Sequence, residues 1–302
     1  MTITLDWLGC ATFRLTINDL VLYLDAFMDL PPGAPDTGIS TSKVERADFI
    51  MVGHSHFDHL WGAERIARNT GATVIGSHES IRLMRDEEVP EAQCMAVAGG
   101  ERIRLSDDVT VRVFPSQHSC IWARMSPPDE VCLGDMGLTL QERTANLAAR
   151  FARRNEPSTN PNAEAQRAYR AQNNQRPRGE GGALAYLIET PEGSILYKDT
   201  SGHWTGIMRD LRPDVALLAA AGRGNIDGEP VQGSLAQFAS REVDLLRPKR
   251  VIISHHDDWN ATGVDPERTF EPVRDELKRQ HPRVELVKMG YQERYPLLQF
   301  SR

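Results

Sequence analysis

No apolar run in this 302-residue chain approaches the roughly 20 residues that a bilayer-spanning helix needs. The start, Met1-Thr2-Ile3-Thr4-Leu5-Asp6, lacks the basic residues and long apolar stretch of a secretory signal, so a cytoplasmic protein with no membrane partner is expected. Cysteine is scarce as well. Cys10, Cys94, Cys120 and Cys132 stand far apart and form no C-x-x-C pair, so the pattern indicates neither a disulfide framework nor a structural zinc knuckle and leaves buried free thiols as the expectation. Positive charge is in deficit. A formal net charge of -7 argues against a general nucleic-acid binder, whose electrostatic footprint is basic. What is left, 40% hydrophobic and 25% charged residues, is ordinary for a globular chain with one sizeable core, and residues 1–302 are expected to form a single domain.

Against that background one stretch stands out. His54-Ser55-His56-Phe57-Asp58-His59 places three histidines and a carboxylate within six positions, directly after Asp48-Phe49-Ile50-Met51-Val52, which has the apolar run and flanks of a short buried strand. Packing does not account for such density, because polar groups beside an apolar strand need partners. A strand that ends in a turn can aim alternate side chains, His54 and His56, at one point while the chain curls to bring Asp58 and His59 round. Histidine is also the commonest metal ligand. The stretch reads as half of a two-metal site.

Around it the chain alternates strands and helices. Residues 3–8, 12–17 and 20–24 read as strands, and the proline-rich 31–36 stretch as a loop. Residues 60–69 have helical spacing, 72–76 are strand-like, and Ser77 looks like the cap of a helix that takes His78 into its first turn. A half-buried strand at 109–114 leaves His118 at its end, where a lone histidine is usually structural or at the surface. Residues 138–154 and 163–172 favour helices, and 183–189, 194–198, 215–220 and 250–254 are strands again. Asp199 follows the second of these, where an aspartate can simply cap a turn, and His255-His256-Asp257-Asp258 follow the last. After 215–220 a glycine-rich loop carries Arg223, open to a plain turn or to an anionic substrate group.

The H-x-H-x-D-H arrangement resembles the signature of the metallo-β-lactamase superfamily of metal-dependent hydrolases. Trp7 to Leu15 and Tyr23 to Phe27 are similar to the first hairpin of its branch containing ascorbate-6-phosphate lactonases, with Cys10 where that branch usually has histidine. The resemblance implies an α/β fold, a four-layer αβ/βα sandwich with a helical insertion at about residues 120–182 and its sheet-rich halves divided near 182. It also implies the ligands: His54, His56 and His118 for one ion, Asp58, His59 and His255 for the other, and Asp199 as the bridge, with Asp58 and Asp199 the catalytic carboxylates. Two adjacent histidines on an extended chain point opposite ways, so only one of His255 and His256 serves, and His255 is the choice. Asp257 and Asp258 are open to two roles, orienting a ligand imidazole from behind or standing as solvated loop carboxylates. Cys10 is expected to be a small buried side chain beside the site.

The expected cofactors are two divalent metal ions, zinc first, with manganese or iron as alternatives because nitrogen and oxygen donors do not select among them. The expected reaction is hydrolysis of an ester, lactone, phosphoester or amide bond of a small molecule by a metal-bridging hydroxide. A nuclease acting on RNA or single-stranded DNA is the alternative that the acidic balance opposes. A redox di-iron protein of the same fold is the one that the intact histidines oppose. Between Glu142 and Arg178 eight arginines (Arg143, Arg150, Arg153, Arg154, Arg167, Arg170, Arg176, Arg178) face three glutamates, a local excess of five positive charges in an acidic protein. Solvated helices or a contact in a homo-oligomer would explain it. So would a lid whose arginines bind an anionic substrate.

Overall fold

In the computed structural model, which describes residues 1–153, 160–173 and 179–300, two seven-stranded sheets lie face to face. The first begins as an antiparallel meander, β1 (Ile3–Trp7), β2 (Phe13–Ile17) and β3 (Leu20–Leu24). It then switches to parallel pairing through β4 (Phe49–Met51), β5 (Thr73–Gly76) and β6 (Cys94–Ala96). The crossovers carry α1 (Phe57–Leu60), α2 (Ala63–Thr70) and α3 (His78–Asp86). Ser77 accepts from the Ser80 amide at 3.2 Å, the cap expected there, and His78 opens α3.

The chain crosses to the second sheet with β7 (Arg102–Arg104) and β8 (Thr110–Pro115), makes the helices α4 (Leu140–Arg153) and α5 (Ala163–Asn173), and returns as β9 (Leu184–Thr190) and β10 (Gly193–Lys198). There follow β11 (Gly202–His203), α6 (Thr205–Met208), β12 (Val215–Ala219), β13 (Asn225–Ile226) and β14 (Glu229–Pro230). The last elements are α7 (Leu235–Leu246), β15 (Arg250–Ser254), α8 (Glu267–Gln280), β16 (Glu285–Val287) and β17 (Tyr295–Pro296). The sheet orders are β17-β1-β2-β3-β4-β5-β6 and β16-β15-β12-β10-β9-β8-β7, with β11-β13-β14 as a small third sheet.

Side-chain alternation assigns the layers. On β9, Tyr186 and Ile188 point into the core between the sheets with Leu5 and Leu15, whereas Ala185 and Leu187 point outward onto Phe238 and Val243 of α7. Ile66 of α2 and Ile81 of α3 cover the outer face of the first sheet over Ile50 and Val74. Helix, sheet, sheet, helix is the expected αβ/βα sandwich. Every residue of β12 and β15 is buried, as parallel strands covered on both faces must be.

The division between the halves departs from expectation. It falls between Ala96 and Arg102, not near residue 182, because Val111 and Val113 of β8 pair with Ile188 and Tyr186 of β9. The segment between them is an excursion joining two antiparallel neighbours, which is tolerable because loop-closure cost grows slowly with length. Among the described residues no helix is long and apolar enough to cross a membrane.

Candidate metal centre

Five strands deliver the site from their carboxyl ends. Asp25 follows β3, His54 and His56 follow β4, His118 follows β8, Asp199 follows β10 and His255 follows β15. Asp58 and His59 lie on the one-turn helix α1. All seven predicted ligand residues come together there. Three trios form, His54 with His56 and His118, His54 with His59 and Asp199, and Cys10 with Asp58 and His255, the donor atoms of each within 4.8 Å of one another.

The detailed contacts orient the rings. His54 Nδ1 is 2.5 Å from Asp199 Oδ2, and its Nε2 is 3.0 Å from His56 Nδ1. His118 donates through Nδ1 to the Ser119 carbonyl at 2.8 Å, turning Nε2 toward the other two imidazoles, whose ring centres are each 4.7 Å away. Asn225 supports this turn by donating to the His118 carbonyl at 2.7 Å. On the other side, Asp58 Oδ2 stands 3.6 Å from His255 Nε2 and 3.8 Å from His59 Nε2.

Whether these residues suit divalent cations is tested by what they leave unsatisfied. Asp199 is fully buried, yet its Oδ1 has no hydrogen-bond partner among the described residues. Burial pushes the Asp199 carboxyl up, with His59 and His118 opposing. Burial would raise Asp58 too, but His59 and His255 hold it well below the usual carboxylate range. Burial, with His56 adding to it, draws His118 down to about 3, and His54 is likewise held neutral. The neutral imidazoles of His54 and His118 beside buried carboxylates are donors that take a divalent cation in place of protons. The residues fit.

Two supporting residues are not visible in the motif. Asp25 is wholly buried, takes the Gly53 amide at 2.9 Å on one oxygen and meets His59 Nδ1 at 2.6 Å with the other. That fixes the His59 tautomer and turns Nε2 toward Asp58, the role of a carboxylate behind a metal-bound histidine. Burial lowers His59, but Asp25, Asp58 and Asp199 more than reverse it, to about 9. Asp25→Asn should therefore weaken metal binding about 10- to 100-fold, measured by competition with a chelator, while leaving the fold intact by circular dichroism. Equal affinity in the variant would remove Asp25 from the centre.

The second is Lys198, the residue before Asp199. Its buried ammonium pairs with Glu242 at 3.0 Å and donates to the carbonyls of Thr200 and Gly202, fastening the turn that presents Asp199.

The structure also places the residues of three other readings. His256 stacks on Trp7 with ring centres 5.0 Å apart and faces away from the cluster, while His255, in a left-handed conformation at φ 62, faces into it. Neither Asp257 nor Asp258 backs an imidazole. Asp257 accepts the Cys10 amide and the Tyr291 hydroxyl, and Asp258 caps the turn at Thr262. Arg223 is buried and spends its guanidinium on Asp135 and the carbonyls of Arg124, Gly134 and Val231, so it pins a loop and does not reach a substrate.

Above the candidate ligands opens a cleft of about 780 Å³. Phe57 and Trp259 wall one side, while α4 contributes Arg150 and Phe151 and α5 contributes Arg170. Helix α5 is moored by Tyr169, which packs against Trp61 at 5.3 Å and donates to the Asp29 carbonyl, and by Gln166, which donates to the Ala261 carbonyl at 2.5 Å. Of the other six arginines, Arg143 pairs with Glu229 at 2.9 Å over the Trp122 ring, and Arg167 is exposed. Arg153 ends α4, and Arg154, Arg176 and Arg178 lie outside the described residues.

Residues 22–147 match the beta-lactamase superfamily domain. A UPF0173 metal-dependent hydrolase of Pyrobaculum aerophilum is 31% identical over 276 residues, which cover 87% of this chain and 88% of that one. Among solved structures, a novel metallo hydrolase from Ignicoccus hospitalis superposes with a TM-score of 0.58 at 16% identity, over 98% of this chain and 97% of the other. The diiron β-hydroxylase of Streptomyces venezuelae gives 0.60 at 14% identity, over 96% of this chain but 53% of its own. At such identities the structural likeness concerns the fold alone.

Proposed function

The chain belongs to the UPF0173 metal-dependent hydrolases of the metallo-β-lactamase superfamily, and from there we propose that it is a two-metal enzyme that hydrolyses an ester, lactone, phosphoester or amide bond in a small anionic molecule. The observation that carries this reading is one cleft whose floor holds the histidine and aspartate clusters and whose walls present Arg150 and Arg170. His54, His56 and His118 would hold one ion, Asp58, His59 and His255 the other, with Asp199 between them. Zinc suits nitrogen and oxygen donors at these spacings.

Bound divalent ions supply a water that is nucleophilic near neutral pH and a Lewis acid for the oxygen of the scissile bond. The chain's own part is positioning. Asp25 and Ser119 fix the tautomers of His59 and His118, and Lys198 holds the turn under Asp199. Phe57, Phe151 and Trp259 line the cleft with apolar surface beside the place a substrate would occupy. Arg150 is steadied by the Ile121 carbonyl at 3.0 Å and Arg170 by Asn260 at 2.7 Å, so each guanidinium meets an anion with part of its orientation already fixed.

The test is a panel of hydrolase substrates run on protein whose metal content is measured in the same sample. Activity that follows metal content, and is strongest for anionic substrates, supports the reading. Arg150→Ala and Arg170→Ala should each raise KM for an anionic substrate about tenfold, a typical loss for one charge-assisted hydrogen bond. The effect should shrink for a neutral analogue, with metal content unchanged. If KM stays the same for both substrates, the arginines are not a substrate clamp.

A further inference from the structure

The trio that includes Cys10 adds one residue to the ligand set assigned above, since Asp58 and His255 already belong to it. Cys10 is completely buried, and its sulfur shares a 4.8 Å neighbourhood with the donor atoms of Asp58 and His255. Its backbone leaves it little freedom. The amide donates to Asp257 Oδ2 at 3.0 Å, and the carbonyl accepts the His255 amide at 2.8 Å and the Trp7 indole at 3.0 Å. Cys10 also sits in the left-handed region at φ 48, as His255 does at φ 62. Two residues of one donor trio are thus hydrogen-bonded to each other through their backbones. The thiol's own contact is a weak one to the Asp58 carbonyl at 3.5 Å.

Two of the spacings around Asp58 suit donors that share one cation. In a tetrahedral site with bonds of about 2.0–2.3 Å, neighbouring donors stand roughly 3.3–3.8 Å apart. Asp58 Oδ2 is 3.6 Å from His255 Nε2 and 3.8 Å from His59 Nε2. In the neighbouring trio of His54, His59 and Asp199, the buried Asp199 Oδ1 has no hydrogen-bond partner among the described residues. No such grouping surrounds Cys120 or Cys132 among the described residues.

We propose that Cys10 is a metal ligand, its thiolate joining Asp58, His59 and His255 around the second ion and making that half of the centre selective for a thiophilic divalent cation such as zinc. This rests on the two-metal reading and sharpens it. On binding, the thiol proton passes to solvent and the sulfur lone pair forms the bond to the cation, the thiol releasing one proton for the ion held there and no redox change occurring. Sulfur favours zinc, cobalt and iron over manganese and magnesium, so the His54, His56 and His118 half should accept the harder ions more readily than this one.

The experiment loads metal-free protein with cobalt(II) and reads stoichiometry and the near-ultraviolet thiolate-to-cobalt charge-transfer band on the same sample. Two cobalt ions per chain with the band present is the expected result. In Cys10→Ser the band should vanish and the weaker-bound cobalt should be held at least about tenfold less tightly, since even residues behind the ligands cost that much. Cys120→Ser should keep the band. Two ions without a band overturn the role of Cys10 and leave the two-metal reading standing. One ion with the band keeps Cys10 as a ligand and overturns the two-metal reading, and one ion without it overturns both. Because the wild-type spectrum decides by itself, a Cys10→Ser protein that fails to fold does not leave the question open. A band that persists in a folded Cys10→Ser protein overturns the proposal.

Discussion

Replacing His54 or Asp58 by alanine should strip metal from the protein and lower kcat/KM by on the order of a thousandfold or more. Lewis-acid assistance is worth several kcal/mol, and each 1.36 kcal/mol is about a factor of ten in rate. His54 has the larger reach, because it touches Asp199 at 2.5 Å and His56 at 3.0 Å and belongs to two of the three donor trios. Asp58 belongs to the third and stands between His59 and His255. Metal analysis beside kinetics checks both, and full occupancy with normal rates in both variants would sink the site assignment. His255→Ala should cost one ion, whereas His256→Ala should keep both and lose only stability, since that ring packs on Trp7 and Phe270.

Gly53→Ala should be nearly as damaging, although it changes no ligand. A Cβ at position 53 would fall 2.1 Å from the Asp199 carboxylate carbon and from its Oδ2, far inside contact distance. Something must shift. Gly53 is held by its amide on Asp25 at 2.9 Å and by its carbonyl on the Leu184 amide at 2.8 Å, so the carboxylate is what moves. If Asp199 serves as the proposed metal bridge, displacing it by about 1 Å should cost on the order of a hundredfold in rate. Far-ultraviolet circular dichroism should stay native while metal content and kcat fall together. Normal metal content and kcat would mean that the Asp199 side chain has another place to go.

How much of this was legible depended on sequence distance. His54, His56, Asp58 and His59 declared themselves because four chemically similar residues crowd into six positions after an apolar strand. The strands before Asp199 and His255 were legible as apolar runs, but only resemblance singled out the residues after them as ligands. The supporting residues carried no local signal. Asp25 meets His59 across 34 positions, Asp199 meets His54 across 145, and Asp257 meets the Cys10 amide across 247. An acidic residue at the end of a buried strand was the one clue to Asp25, and it reads equally well as a turn. Cys10 lies in no metal-binding motif, and its closeness to Asp58 and His255 is a feature of the folded chain alone. The division of the sheets was misjudged for a related reason. The helix-rich 120–182 stretch looks like a boundary, yet it bridges β8 and β9, which are adjacent in one sheet. Helix α7 opens on a capping box of Ser234 and Gln237, a local signal in a stretch that the reading of the sequence passed over.

The pairing of β17 with β1 has a consequence for synthesis. Leu5 meets Tyr295 and Thr4 meets Pro296, and Tyr291 packs on Trp7 at 4.9 Å and donates to Asp257 at 2.9 Å, the carboxylate that holds Cys10. On the ribosome the first sheet therefore waits with an unpaired edge until residue 296 has emerged, some fifteen seconds to a minute after β1 at about 5–20 residues per second. During that interval the exposed β1 edge is open to pairing with another nascent chain. Expression at lower temperature, or with a chaperone that shelters strand edges, should raise the yield of folded protein more than any change to the helices around the cleft.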